Sequence, residues 1–171
     1  MLLDLIDLSK LRRAIVYALV LAVVFIFQDL LVARLPLFGV RAMMIPATVA
    51  AIGLFEGGSW GGFIGLAAGY LMDRGYTEQT VLFLILFTAI GFFSGVLGKY
   101  LFHKGFVSYL VLTTAAMLLI SAAQMFRFLF FTDTSAWAVW RTGLLQILWS
   151  IPWAIPIYFP CKAIAAHPMG S

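Results

Sequence analysis

A chain of 171 residues that is 64% hydrophobic, 16% aromatic and only 11% charged lacks the polar surface needed to face water, because soluble domains run at about 45–50% apolar and about 25% charged. Its mean hydropathy of +1.06 points to lipid as its solvent. The net charge of +4 is too thin for a nucleic-acid binder, which needs a dense basic patch; one cysteine, Cys161, and two distant histidines, His103 and His167, offer neither a disulfide framework nor a metal-ligand cluster.

The first residues, with Asp4, Asp7 and Lys10 among leucines, do not have the layout of a cleaved signal peptide. Leu2, Leu5, Ile6 and Leu8 could form one apolar face of a short interfacial helix that ends at Lys10, Arg12 and Arg13, with a frayed tail as the other reading. A membrane-crossing helix needs about 20 mostly apolar residues, since the hydrocarbon core is about 30 Å thick and the rise is about 1.5 Å per residue. Ala14 to Ala33 meets that requirement first. The stretch from Ala42 to Met72, 31 residues interrupted by Glu56-Gly57-Gly58-Ser59, is too long for one crossing and reads as two short helices, spanning or re-entrant. Thr80 to Leu97, Phe106 to Met125 and Ala138 to Phe159 follow, separated by the charged segments Lys99 to Lys104 and Arg127 to Asp133.

The fold class expected is therefore an all-α polytopic membrane protein, a bundle of six helices with the second and third short. Residues 1–171 form one integral membrane domain, with a cytoplasmic or interfacial segment at 1–13 and a polar tail at 161–171. Both termini then lie on one side, with Lys10, Arg12, Arg13, Lys99, Lys104 and Lys162; Arg34, Arg41, Arg74, Arg127 and Arg141 lie on the other. Arg12 and Arg13 flank the first helix, which places the termini in the cytoplasm. The longest connection is Phe126 to Trp137, too short for an extramembrane domain.

Gly53, Gly57, Gly61, Gly65 and Gly69 recur every four residues, and Asp73 falls on the next step. That spacing keeps them near one helix face, and a face without side chains lets another backbone approach closely in lipid. The third helix is thus expected to be a packing hub, crossing the fourth at Gly91 and Gly95. The spacing leaves open whether Gly57, Gly61, Gly65, Gly69, Gly91 and Gly95 pack within the chain or against a partner.

Polar groups at membrane depth need an account, since a central Asp costs about 2.5–3.5 kcal/mol on insertion scales. Asp29 is read as pairing with Arg34 or reaching the interface, and Glu56 as solvated at the turn between helices two and three. Asp73 sits at a helix C-terminus, where the dipole disfavours it; a local turn using Gly75 and Arg74 is the first reading, a contact to another helix or a partner the second. Gln124 and Gln146 are read as fixing helix packing. Pro152, Pro156 and Pro160 each remove an amide donor, so the last helix is expected to bend or unwind into a ragged final turn. Pro46 poses the same question in the second helix. No spacing of catalytic or cofactor-binding residues emerges, so no catalytic, metal or cofactor site is assigned.

The run QDLLVARLPLFGVR from Gln28 to Arg41, followed by a short apolar helix and then EGGSWGGFIGLAAGYLMDRG from Glu56 to Gly75, resembles the rod shape-determining protein MreD family of bacteria. The likeness lies in a first helix ending in Gln28, the turn that ends in Arg41, and a Gly-rich helix with Gly62, Phe63, Gly65, Leu66 and Asp73. It covers roughly residues 14 to 100. The family's Pro-Asp after the turn is replaced by Ala42-Met43, and the interval from glycine to Asp is longer by Gly69-Tyr70. The resemblance implies a non-enzymatic scaffold of the cell-wall (peptidoglycan) elongation complex, the elongasome, in the plasma membrane. Its partners would be membrane lipid, an MreC-like single-pass protein, and in the wider complex MreB and the wall synthases; self-association is left open. It also implies a fold similar to the substrate-binding subunits of energy-coupling-factor vitamin transporters, which supplies the alternative function.

Overall fold

The computed structural model describes residues 8–30, 34, 39–75, 81–101, 104–131 and 135–166. Among them are six helices and no extended sheet strand: α1 (Leu8–Leu30), α2 (Ile45–Glu56), α3 (Gly58–Gly75), α4 (Leu82–Tyr100), α5 (Phe106–Phe131) and α6 (Ala136–Ala166). Four of these, α1, α4, α5 and α6, contain windows long and apolar enough to cross a membrane. The N-terminal stretch 1–7 lies outside the described residues.

The bundle is organised around α2. Every residue from Ile45 to Phe55 is buried, and α2 packs against each of the other five helices. A helix apolar all round belongs in an interior, and α2 has no polar residue between Ile45 and Phe55 except Thr48, whose hydroxyl donates to its own Met44 carbonyl at 3.2 Å. The centre of the bundle is therefore α2; α3 touches only α4, α2 and α1, but its crossing with α4 is the most extensive helix contact, as the glycine ladder leads one to expect. The sequence pattern favoured α3 because glycines mark close approach, whereas the buried position of α2 shows in its missing polar face.

The outer helices each present one stripe to this centre. In α1 it is Tyr17, Leu21, Val24 and the half-buried Gln28, while Ile15, Leu19, Val23 and Ile26 face outward. In α4 it is Phe83, Phe87, Ile90, Gly91, Ser94, Gly95 and Gly98, and in α5 Tyr109, Leu112, Thr113, Ala116, Met117 and Ile120. Both follow the three-and-four spacing that returns side chains to one helix face.

Pro46 lies in the first turn of α2, where its missing amide is not needed, so it starts the helix rather than bending it. Pro152, Pro156 and Pro160 stay inside α6, which remains helical to Ala166 with no ragged turn. Their four-residue spacing puts all three on the exposed face, away from the buried stripe that ends in Ala154, Ile157, Tyr158 and Cys161. The polar tail consequently begins later than residue 161, and Cys161 is fully buried. Because α5 also runs past Met125 to Phe131, the connection read as Phe126 to Trp137 shrinks to residues 132–135.

Candidate functional site

In lipid every backbone N–H and C=O must find a protein partner, so irregular backbone at depth has to be held by side chains. Here the chain has such a segment, residues 41–44, leading into α2. Three side chains from two other helices close it. The amides of Met44 and Ile45 donate to Gln28 Oε1 of α1 at 2.7 and 3.2 Å, which satisfies orphan donors at the start of α2, where Met44 supplies no side-chain cap. The amide of Met43 donates to Ser150 Oγ of α6 at 2.8 Å. That hydroxyl donates in turn to the Gln146 carbonyl at 2.6 Å. Gln146 Nε2 in turn donates to the Arg41 carbonyl at 3.3 Å.

The opposite end of α2 is held as firmly. Gly57, at φ +102°, breaks the helix in a backbone region that L side chains rarely adopt, and its amide still donates to the Gly53 carbonyl at 2.9 Å. Lys104 Nζ donates to the Phe55 carbonyl at 2.7 Å, one of the orphan acceptors of the last turn. Glu56 is not solvated: its side chain is 8% exposed, and Arg13 Nη1 lies 3.4 Å from Oε2. The Tyr17 hydroxyl donates to Oε1 at 2.7 Å. Around this turn Tyr158 packs on Phe55, Phe106 and Tyr109, with ring centroids 5.7, 5.1 and 5.4 Å apart, and Lys162 Nζ stands over the Tyr158 ring at 5.4 Å. The start of α1 and the end of α6 thus lie at the same end of the bundle.

Asp73 does the same work for α4. Its Oδ1 and Oδ2 accept from the amides of Phe83 and Leu84 at 3.2 and 3.0 Å, the second and third helical residues, where the N-cap Val81 offers no side chain to do so. The local turn with Gly75 and Arg74 is not how the carboxylate is held; Arg74 instead stacks over the Tyr70 ring at 5.1 Å. A carboxylate disfavoured at the C-terminus of its own helix is placed against the N-terminal dipole of the next.

Between these two frames runs the glycine interface. The faces of α3 and α4 are pressed together: a Cβ at Gly61 would collide with the Gly91 carbonyl oxygen, at Gly65 with the Phe87 carbonyl oxygen, and at Gly69 with the backbone of Leu84. Reciprocally, one at Gly91 would meet the Gly61 carbonyl and one at Gly95 the backbone of Gly57 and Gly58. Gly53 of α2 joins the same junction against Gly91. Gly57 has nothing within 4 Å of a Cβ of its own and is needed as a glycine for its turn at φ +102°, while its backbone is part of what Gly95 packs against.

Sequence reading found Gln28, Asp73 and the glycines but not Ser150, Tyr17 or Lys104. Asp29 and the side chain of Arg41 are exposed, and Gln124 is half-buried on α5; His103 and His167 lie outside the described residues. No group of His, Cys, Asp and Glu residues among the described ones could hold a metal ion. Comparison with protein-family models, with curated proteins and with solved structures finds no match.

Proposed function

We propose that the chain is a membrane scaffold of the bacterial cell-wall elongation complex, an MreD-like protein that contributes to rod shape by packing against an MreC-like single-pass partner rather than by chemistry. The observation that carries the proposal is the use made of the polar groups at depth. Gln28, Asp73, Ser150 and Gln146 each satisfy backbone, and the bundle centre is filled by the buried, almost wholly apolar α2. Two of these residues, Gln28 and Asp73, are among those that carry the resemblance.

The proposed topology puts both termini, which share the Glu56 end of the bundle with Arg13, Lys104 and Lys162, in the cytoplasm, because Arg12 and Arg13 flank the first helix; the plasma membrane is what the resemblance implies. The glycine faces of α3 and α4 are occupied inside the chain, which directs the partner to the lipid-facing surface. In a rod-shaped bacterial host, loss of the gene should round the cells, and the tagged chain should retain a single-pass partner through detergent extraction. Cells that stay rod-shaped with no such partner would overturn the proposal, as would a saturable rise in thermal stability with a vitamin.

A further inference from the structure

We propose that the groove between α5 and α6, at the end of the bundle opposite Glu56, binds one acyl chain of an anionic phospholipid whose phosphate rests on Arg141. The groove measures about 210 Å³, walled by Leu118, Ala122 and Met125 of α5 and by Val139 and Leu144 of α6. Gly143 lines it without a side chain, and a Cβ there would only reach ordinary contact with Ser121 Cβ and Oγ, at 3.4 and 3.5 Å. From Val139 to Ile147 the rise is about 12 Å. A helix of that length, 10–12 Å across, fills roughly 800 Å³ or more, so the groove suits a thread rather than a rod.

At its mouth the groove shares Trp140 and Leu144 with a surface depression that adds Trp137 and Arg141. Both tryptophans are exposed, at 78% and 52%, and amphipathic indoles belong at headgroup level. Arg141 is exposed as well, and no carboxylate among the described residues pairs with it. A guanidinium with no carboxylate partner among the described residues, beside a narrow apolar slot, is complementary to a lipid phosphate above an acyl chain. At the deep end, beyond Ser121 and Ile147, the space narrows to a void of about 10 Å³, room for one water and nothing larger. The chain end therefore stops at the bundle surface.

This inference does not depend on the scaffold reading. Its test is native mass spectrometry of the full chain, stripped of lipid in mild detergent and titrated with phosphatidylglycerol and with phosphatidylcholine of the same acyl chains. The expected result is one retained lipid per chain with at least a tenfold preference for phosphatidylglycerol. Arg141→Gln should cut that preference below threefold, and Ala122→Phe, which fills the slot, should abolish retention of both lipids. Protection of the buried Cys161 from a thiol dye verifies folding of each variant, and Arg141→Gln alone decides the case if Ala122→Phe fails to fold. Equal retention of the two lipids, an Arg141→Gln variant with unchanged preference, or lipid retained by folded Ala122→Phe would overturn the proposal. So would a dimer of the chain that forms in place of the lipid adduct and is dissociated by Ala122→Phe.

Discussion

Asp73 offers the sharpest test of the idea that buried polar groups in this bundle exist to close backbone openings. Asp73→Ala removes the acceptor for two amides, those of Phe83 and Leu84, at the start of α4. Loss of a helix cap costs about 1 kcal/mol, with a range of about 0.5–2, and here the two bonds go to a charged acceptor, each worth about 1.5–3 where fully desolvated. Asp73 is half-buried, so solvent screening holds the loss to the upper end of the cap range, about 2 kcal/mol. Asp73→Asn keeps one acceptor and loses the charge at the helix N-terminus, for about 1 kcal/mol.

The chain carries its own reporter, since Cys161 is its single cysteine and is fully buried. Labelling by a thiol dye in detergent, under conditions where reaction waits on global opening, tracks the opening equilibrium. A loss of about 2 kcal/mol then speeds labelling roughly 30-fold in Asp73→Ala, and about 1 kcal/mol speeds it roughly fivefold in Asp73→Asn. Asp29→Ala, which removes an exposed carboxylate, should label at the wild-type rate. Equal rates for Asp73→Ala and Asp29→Ala would refute the capping argument.

Two further outcomes follow from neighbouring geometry. Gly65→Ala places a methyl into the Phe87 carbonyl, a backbone group that cannot rotate away, whereas at Gly62 the nearest atom to a Cβ is Phe92 Cβ at 3.6 Å, ordinary contact. Gly65→Ala should cost about 1–3 kcal/mol and shift the chain toward aggregate on size-exclusion chromatography, while Gly62→Ala elutes as wild type; identical profiles would remove the interface from the account. Glu56→Ala strands the Tyr17 hydroxyl without an acceptor, at about 1–3 kcal/mol, but Glu56→Gln keeps an acceptor and forfeits only the Arg13 pair, whose guanidine side chain is 34% exposed and worth about 0–1 kcal/mol. Thermal inactivation rates should therefore rank Glu56→Ala fastest, and equal rates for the two variants would show that the ion pair, which both lose, rather than the hydroxyl carries the turn.

Much of the architecture was legible because membrane thickness imprints a length on apolar runs. The run from Ala14 located α1, yet the helix starts at Leu8, since Lys and Arg at positions 10, 12 and 13 are good helix formers and hydropathy measures the lipid-exposed part of a helix, not its hydrogen-bonded length. For the same reason α5 continues six residues past Met125. The glycine ladder was legible as a close crossing because small residues at four-residue intervals clear one helix face of side chains, and in lipid such a face serves to seat a second backbone. The caps were not legible. Gln28 lies 16 residues from Met44, Asp73 lies 10 from Phe83, and Ser150 lies 107 from Met43, and no local motif announces a cap supplied by another helix. Glu56 escapes sequence reading for a related reason: beside two glycines it looks like a turn exposed to water, and only the tertiary approach of Tyr17 and Arg13 encloses it.

These caps explain one another once α2 is taken as the fixed point. Twelve helical residues rise about 18 Å, well short of a hydrocarbon core of about 30 Å. The lead-in of residues 41–44 can add at most roughly 13 Å, so α2 falls short of the core unless non-helical backbone makes up the difference. Each amide or carbonyl so opened costs several kcal/mol if left unpaired in hydrocarbon, more than the insertion cost of the neutral side chains that pair it. Gln28, Ser150 and Gln146 are thus retained at depth because the short helix needs them. A neutral residue that only removes an acceptor, such as Met at position 28, is expected to be less tolerable than its hydropathy implies, since polarity at these sites is a property of the backbone they serve.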